Sequence, residues 1–140
     1  MRCLIPFTIL LLFLAALFLL GILFPKTTGP AKKAKALNDV SMLATALHVF
    51  YLEYGHLPSS EPATQLSTLM GDNPHQMVFI DPPPNQIVGG NFVDPWQFPY
   101  RTDFSDSQVI RVWSTGPDGS SKDGADRSDD IQISVTLRRP

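Results

Sequence analysis

The chain is nearly without cysteine. Cys3 is the only one in 140 residues, so no disulfide framework staples the fold or reports an oxidising compartment. Acids are missing from the first third: Arg2, Lys26, Lys32, Lys33 and Lys35 meet no carboxylate before Asp39, whereas all 13 acids follow Leu37 against six Lys or Arg. The part after Leu37 is therefore acidic, and it lacks the clustered cations that phosphate contacts need, which excludes nucleic acid as a partner. The three histidines, His48, His56 and His75, have no spacing that builds a metal triad, and Cys3 and Ser114 lack a histidine in a nucleophile arrangement. The chain is accordingly not expected to be an enzyme.

What is present begins with an apolar run. Leu4 to Phe24 carries no charge and is apolar apart from Thr8. As a helix its 21 residues would span roughly 31 Å, enough to cross the hydrocarbon of a bilayer. We divide the chain into a tail at 1–3, a transmembrane helix at 4–24, a basic stem at 25–36 and a globular domain at 37–140. The lysines of the stem can meet anionic lipid headgroups, although a solubilising flank is the simpler reading. They outnumber the charge before the run, so the positive-inside rule taken alone would leave the domain in the cytoplasm.

Leu37, Val40, Leu43, Ala44, Leu47, Phe50, Tyr51 and Tyr54 recur at helical spacing, which predicts an amphipathic helix over 37–54 that stops at Gly55. Asn38, Asp39, Thr45, His48 and Glu53 fall on its polar side. A short helix is expected from Ala63 to Met70. Met77 to Ile80 reads as an edge strand or a buried loop, and Gly89-Gly90 as a turn. Tyr100 to Asp103, Val109 to Ser114 and the alternating Ile131, Ile133, Val135 and Leu137 read as three antiparallel strands.

A loop from Gly116 to Asp130 joins the last two strands and holds Asp118, Asp123, Asp126, Asp129 and Asp130. Crowded carboxylates repel one another unless a cation or water relieves them, so the loop reads as a hard-metal site; a solvated turn without an ion is the alternative. Calcium suits it, since that ion takes six to eight oxygens and accepts carbonyls as well as carboxylates. The spacing is not that of an EF-hand, because the third and fifth positions from Asp118 are Ser120 and Lys122.

Three motifs in order carry a resemblance. They are Phe50-Tyr51-Leu52-Glu53-Tyr54-Gly55-His56-Leu57-Pro58, then Asp94-Pro95-Trp96-Gln97-Phe98-Pro99-Tyr100, then Ser114-Thr115-Gly116-Pro117-Asp118-Gly119 closing with Asp129-Asp130-Ile131. Set behind an apolar helix, they resemble the major pseudopilins of type II secretion systems and their type IV pilin-like relatives. The resemblance implies an α+β, pilin-like fold, in which a long N-terminal helix, half membrane and half amphipathic, packs on a small antiparallel sheet of about three strands with a C-terminal acidic loop. It implies a single-pass inner-membrane protein with its C-terminal domain in the periplasm. Its partners would be other pseudopilin subunits, the inner-membrane secretion machinery and membrane lipid, in a filament that drives protein export. It also implies a calcium ion on the acidic loop, for which Asp118, Asp129 and Asp130 match the family's acids. Asp123 ranks next and Asp126 last, as both lie in extra loop length.

Two departures stand at the N-terminus. The family's cleavage-site glycine is Pro6, and its glutamate in the apolar helix is Leu11 in the segment Pro6-Phe7-Thr8-Ile9-Leu10-Leu11. They favour an alternative in which the chain is a stand-alone anchored periplasmic binding module that has kept the fold and no longer polymerises. A third departure is Gln97, where the family has glycine.

Overall fold

The computed structural model describes residues 28–120 and 130–137. The apolar run 4–24 and the acids Asp123, Asp126 and Asp129 lie outside them. Among the described residues, no helix is long and apolar enough to cross a membrane.

Helix α1 spans Thr28–Tyr54. It starts nine residues before the expected Leu37, so residues 28–36 of the basic stem are helical. Pro30 does not prevent this: in a first turn the proline's missing N–H has no helical acceptor to lose. Ala31, Ala34, Ala36 and the lysines between them are strong helix formers. The helix ends where Gly55 takes φ 71° and donates its N–H to the Tyr51 carbonyl at 2.8 Å.

One arc of α1 is buried through Ala36, Val40, Leu43, Ala44, Leu47 and Phe50, with Tyr51 and Tyr54 packed at its margin. Two positions correct the periodicity. Leu37 is 49% exposed, and Asp39, expected on the polar side, is 2% exposed. Asp39 stands three residues after Ala36 and four before Leu43, so it shares their arc whatever its charge.

Helix α2, Pro62–Leu69, has Pro62 in its first turn and is capped by Glu61, whose carboxylate accepts the N–H groups of Ala63 and Thr64. Met77 to Ile80 forms a loop rather than a strand. Ile80 is buried, while Met77 and Val78 are exposed. Asn73 ties that loop together, accepting from Tyr54 and Met77 and donating to Thr68 and Met77.

A 3₁₀ turn at Pro84–Gln86 leads into a small hairpin, β1 at Ile87–Val88 and β2 at Asn91–Phe92. Gly89 and Gly90 make its turn, both at positive φ. The main sheet has three antiparallel strands in the order β3 (Arg101–Asp103), β4 (Val109–Ser114), β5 (Ile131–Thr136), as the alternation predicts. β4 and β5 lie on α1, and Ile110 and Val112 reach the core at 0% exposure.

Candidate functional site

The segment between β2 and β3 closes on itself. The Asp94 N–H donates to the Phe98 carbonyl at 2.8 Å and the Gln97 N–H to the Asp94 carbonyl at 2.9 Å, while Val93 bridges to Pro99. Within this ring the Asp94 side chain, 1% exposed, accepts the N–H groups of Trp96 and Phe98 on Oδ1, both at 2.9 Å. Its Oδ2 accepts the Ser114 hydroxyl at 2.6 Å. The sequence shows Asp94 only as the first residue of a motif; the structure makes it the acceptor that joins the segment to the end of β4. Trp96 itself is half-buried.

Gln97 takes φ 75°, the left-handed conformation that suits the glycine it replaces. An L side chain there costs about 1–2 kcal/mol. Gln97→Gly is therefore expected to stabilise the fold by roughly 0.5–1 kcal/mol after the extra entropy of a glycine in the unfolded chain is subtracted. Equilibrium urea unfolding reads the difference, and a loss of stability would show that the Gln97 side chain has a favourable contact that outweighs the strain.

β4 delivers Ser114 and then turns through a 3₁₀ helix at Gly116–Asp118. Ser114 Oγ also accepts the Gly116 N–H at 3.1 Å, and Gly119 follows at φ 64°. A Cβ on Gly119 would collide with the Phe98 ring, so the bare backbone lies against that ring. Two segments separated by β3 and β4 thus meet twice, at Asp94 with Ser114 and at Phe98 with Gly119. This clasp fixes the place where the acidic loop begins.

The far end of the loop is set by register. Ser114 pairs with Ile131, so Asp130 enters β5 beside the exit of β4, at the end of the sheet from which Thr115 to Asp118 depart. The structure thus brings Asp118 and Asp130 to one end of the sheet; Asp123 and Asp129 lie outside the described residues. Asp118 is exposed and its Oδ1 accepts the Ser120 N–H at 2.9 Å. Thr115, 1% exposed, has a hydroxyl oxygen with no hydrogen-bond partner among the described residues. Nor do the described residues hold a group of three or more His, Cys, Asp or Glu able to bind a metal.

A second buried carboxylate holds α1 to the rest of the domain. Asp39 accepts from Lys35 Nζ at 3.0 Å, from Gln86 Nε2 at 3.1 Å and from the Tyr100 hydroxyl at 3.0 Å. Burial, and then the neighbouring Asp39 charge, push the Tyr100 phenol far above its ordinary value. A proton held more tightly in the folded state stabilises the fold fully below the unfolded phenol's pKa, and that stability is lost as pH rises past it. Stability is therefore expected to fall above about pH 10. In Tyr100→Phe the fall should be shallower, as pH-dependent melting would show.

A search of curated proteins found no match. Among solved structures, the chain is similar to the major pseudopilin from the type 2 secretion system of enterohaemorrhagic Escherichia coli, at 21% identity and a TM-score of 0.47, covering 78% of this chain and 90% of that one. The family described as type II secretion system (T2SS), protein G, matches residues 24–134, which include all of α1, β3 and β4, β5 as far as Ser134, and both segments of the clasp. The chain belongs to the type II secretion system protein G family, the pseudopilins.

Proposed function

We propose that this chain is a membrane-anchored subunit of a type II secretion filament, with a structural part in protein export and a calcium-stabilised loop. The observation that carries this reading is the family match over residues 24–134, within which the clasp joins two of its motifs in space. Leu4 to Phe24 would anchor the chain in the inner membrane, with the domain from α1 onward in the periplasm. Leu37, Val49 and Leu52 on α1, with Met77 and Val78 beside it, are large apolar side chains left in solvent, and a neighbouring subunit would cover such a surface. The work of such a subunit is packing rather than catalysis. An alkaline phosphatase reporter after Pro140 tests the topology, because it is active only outside the cytoplasm; a cytoplasmic signal defeats the reading. Mass spectrometry of the N-terminus tests maturation. A shortened, N-methylated chain beginning at Phe7 supports a filament subunit, and an intact Met1 favours the anchored module that does not polymerise.

For calcium, the donor set fits. Asp118 and Asp130 offer hard carboxylate oxygens from the two ends of the loop, Thr115 adds a buried hydroxyl oxygen without a partner among the described residues, and Asp123 and Asp129 lie between in sequence. A bound ion would supply the positive charge that lets these acids sit together. Chelation is then expected to lower the thermal midpoint by roughly 5–10 °C, since a ligand of the native state stabilises by mass action. Asp118→Ala should abolish that shift. An unchanged midpoint on adding calcium, or the same shift in the variant, would count against the site.

A further inference from the structure

Two arginines stand on one face of the main sheet, and they differ in company. Arg111 in β4 pairs with Asp103 at 3.1 Å. Arg101 in β3 is on the same face, opposite Trp113 in the ladder, and among the described residues its guanidinium makes no ion pair or hydrogen bond. It is an exposed cation in an acidic domain.

Arg101 borders a pocket of about 160 Å³ that is lined also by Ser60, Pro62, Thr102 and Trp113. The pocket forms where the segment leading into α2 passes β3, and a buried amide sets the spacing between the two. Gln65, 4% exposed, donates from Nε2 to the Ser59 carbonyl at 2.9 Å and to the Thr102 hydroxyl oxygen at 3.1 Å. Among the described residues the lining holds donors and no acid. The Thr102 hydroxyl accepts from Gln65 and keeps its own hydrogen to give, the Ser60 hydroxyl has no partner among the described residues, and Arg101 brings five N–H groups in a fixed fork. The acids next to the lining in sequence are engaged elsewhere: Glu61 caps α2 through Ala63 and Thr64, and Asp103 holds Ser105 and Arg111. We propose that this pocket binds a carboxylate group, with Arg101 as its charged partner, Ser60 and Thr102 as hydroxyl donors, and the Trp113 ring and Pro62 covering the carbon stem that carries it.

Charge and size favour a carboxylate over a phosphate. A guanidinium meets the two oxygens of a carboxylate with two parallel N–H bonds, whereas a dianion calls for more than one cation, and the second arginine is already held by Asp103. The negative surroundings also oppose a dianion more than a monoanion. A pocket of this volume admits one acid group and a short stem.

The same group is offered by two sources, an aspartate or glutamate side chain of another protein segment and a free short-chain acid. With one exposed cation and Glu61 and Asp103 nearby, the affinity for either is expected in the millimolar range. The pocket depends on neither the filament nor the calcium reading.

The test follows the indole N–H signals of the two tryptophans by NMR in the full chain, isotope-labelled at tryptophan and purified in a nonionic detergent. Trp113→Phe identifies which signal is which. Sodium propionate should move the Trp113 signal along a saturating curve and leave that of Trp96 in place, while propionamide and sodium chloride at the same concentrations should move neither. Arg101→Gln should weaken binding about tenfold, and Arg101→Lys, which keeps the charge and loses the fork, about threefold. Both change an exposed side chain, so the fold should survive them. The capped peptide acetyl-Gly-Glu-Gly-amide, set against its glutamine counterpart, distinguishes the sources. Tighter binding than propionate assigns the pocket to an acidic protein segment, and weaker binding assigns it to free short-chain acids. A Trp113 signal that ignores propionate and the peptide alike, or that moves equally with chloride or in Arg101→Gln, overturns the proposal.

Discussion

Asp94→Ala is expected to lower the unfolding free energy by about 4 kcal/mol. The carboxylate is 1% exposed and accepts three hydrogen bonds, two from the N–H groups of Trp96 and Phe98 and one from Ser114. Each donor left without an acceptor in a covered site costs about 1–3 kcal/mol, and the serine, being 0% exposed, cannot turn to water. Ser114→Ala removes one of those bonds with its donor and also strands the Gly116 N–H that the hydroxyl accepts, so it should cost about 2 kcal/mol. The order of effects distinguishes a clasp from a mere turn. If Asp94 served only to shape the backbone before Pro95, Asp94→Asn would be nearly silent in urea unfolding of residues 26–140. An amide in its place has one acceptor oxygen for two groups of donors, so we expect a loss of about 2 kcal/mol.

Asp39→Ala should cost about 3 kcal/mol for a related reason at a different place. Its removal strands the Tyr100 hydroxyl and the Gln86 amide, both of which reach it from elements far along the chain. Lys35 contributes less: its side chain is 46% exposed, so water can replace the carboxylate there. A double-mutant cycle separates the stranded donor from the lost packing. In the Asp39→Ala background, Tyr100→Phe should cost little or even restore stability, because it removes a buried hydroxyl that has no acceptor. In the unsubstituted chain the same change should be clearly destabilising. Additive effects in that cycle would mean that the tyrosine finds water or another partner, and that Asp39 does not hold α1 to the segment before β3 through it.

The two aspartates also show what the sequence makes legible. The three main strands follow from local alternation, and the run Ile131 to Leu137 announces its pleat without help from the rest of the chain. α1 is equally readable in its middle, but its start is not, because Gly29 and Pro30 resemble a break and are tolerated in a first turn. The hairpin of β1 and β2 has two residues per strand, too few for any period to show. Asp39 is hidden by its own chemistry. Its spacing from Ala36 and Leu43 places it on the buried arc, yet a carboxylate is affordable there only because Gln86 and Tyr100 arrive from 47 and 61 residues away. Asp94 could be found from its motif but not its task, since the partner Ser114 lies 20 residues on. Of the acidic loop, the crowding of charge is visible in sequence, whereas the placing of Asp118 and Asp130 at the same end of the sheet needs the pairing of Ser114 with Ile131.

The Phe98 ring occupies the space where residue 119 would carry a side chain. Inheritance of the two positions is therefore tied. A lineage that gains a side chain at 119 must move, shrink or lose the ring at 98 and must also hold that residue at a positive φ, so a substitution at 119 is favoured only beside a change at 98. Position 119 should change across related chains only where position 98 changes, and a variant library randomised at both positions would recover that dependence without reference to ancestry.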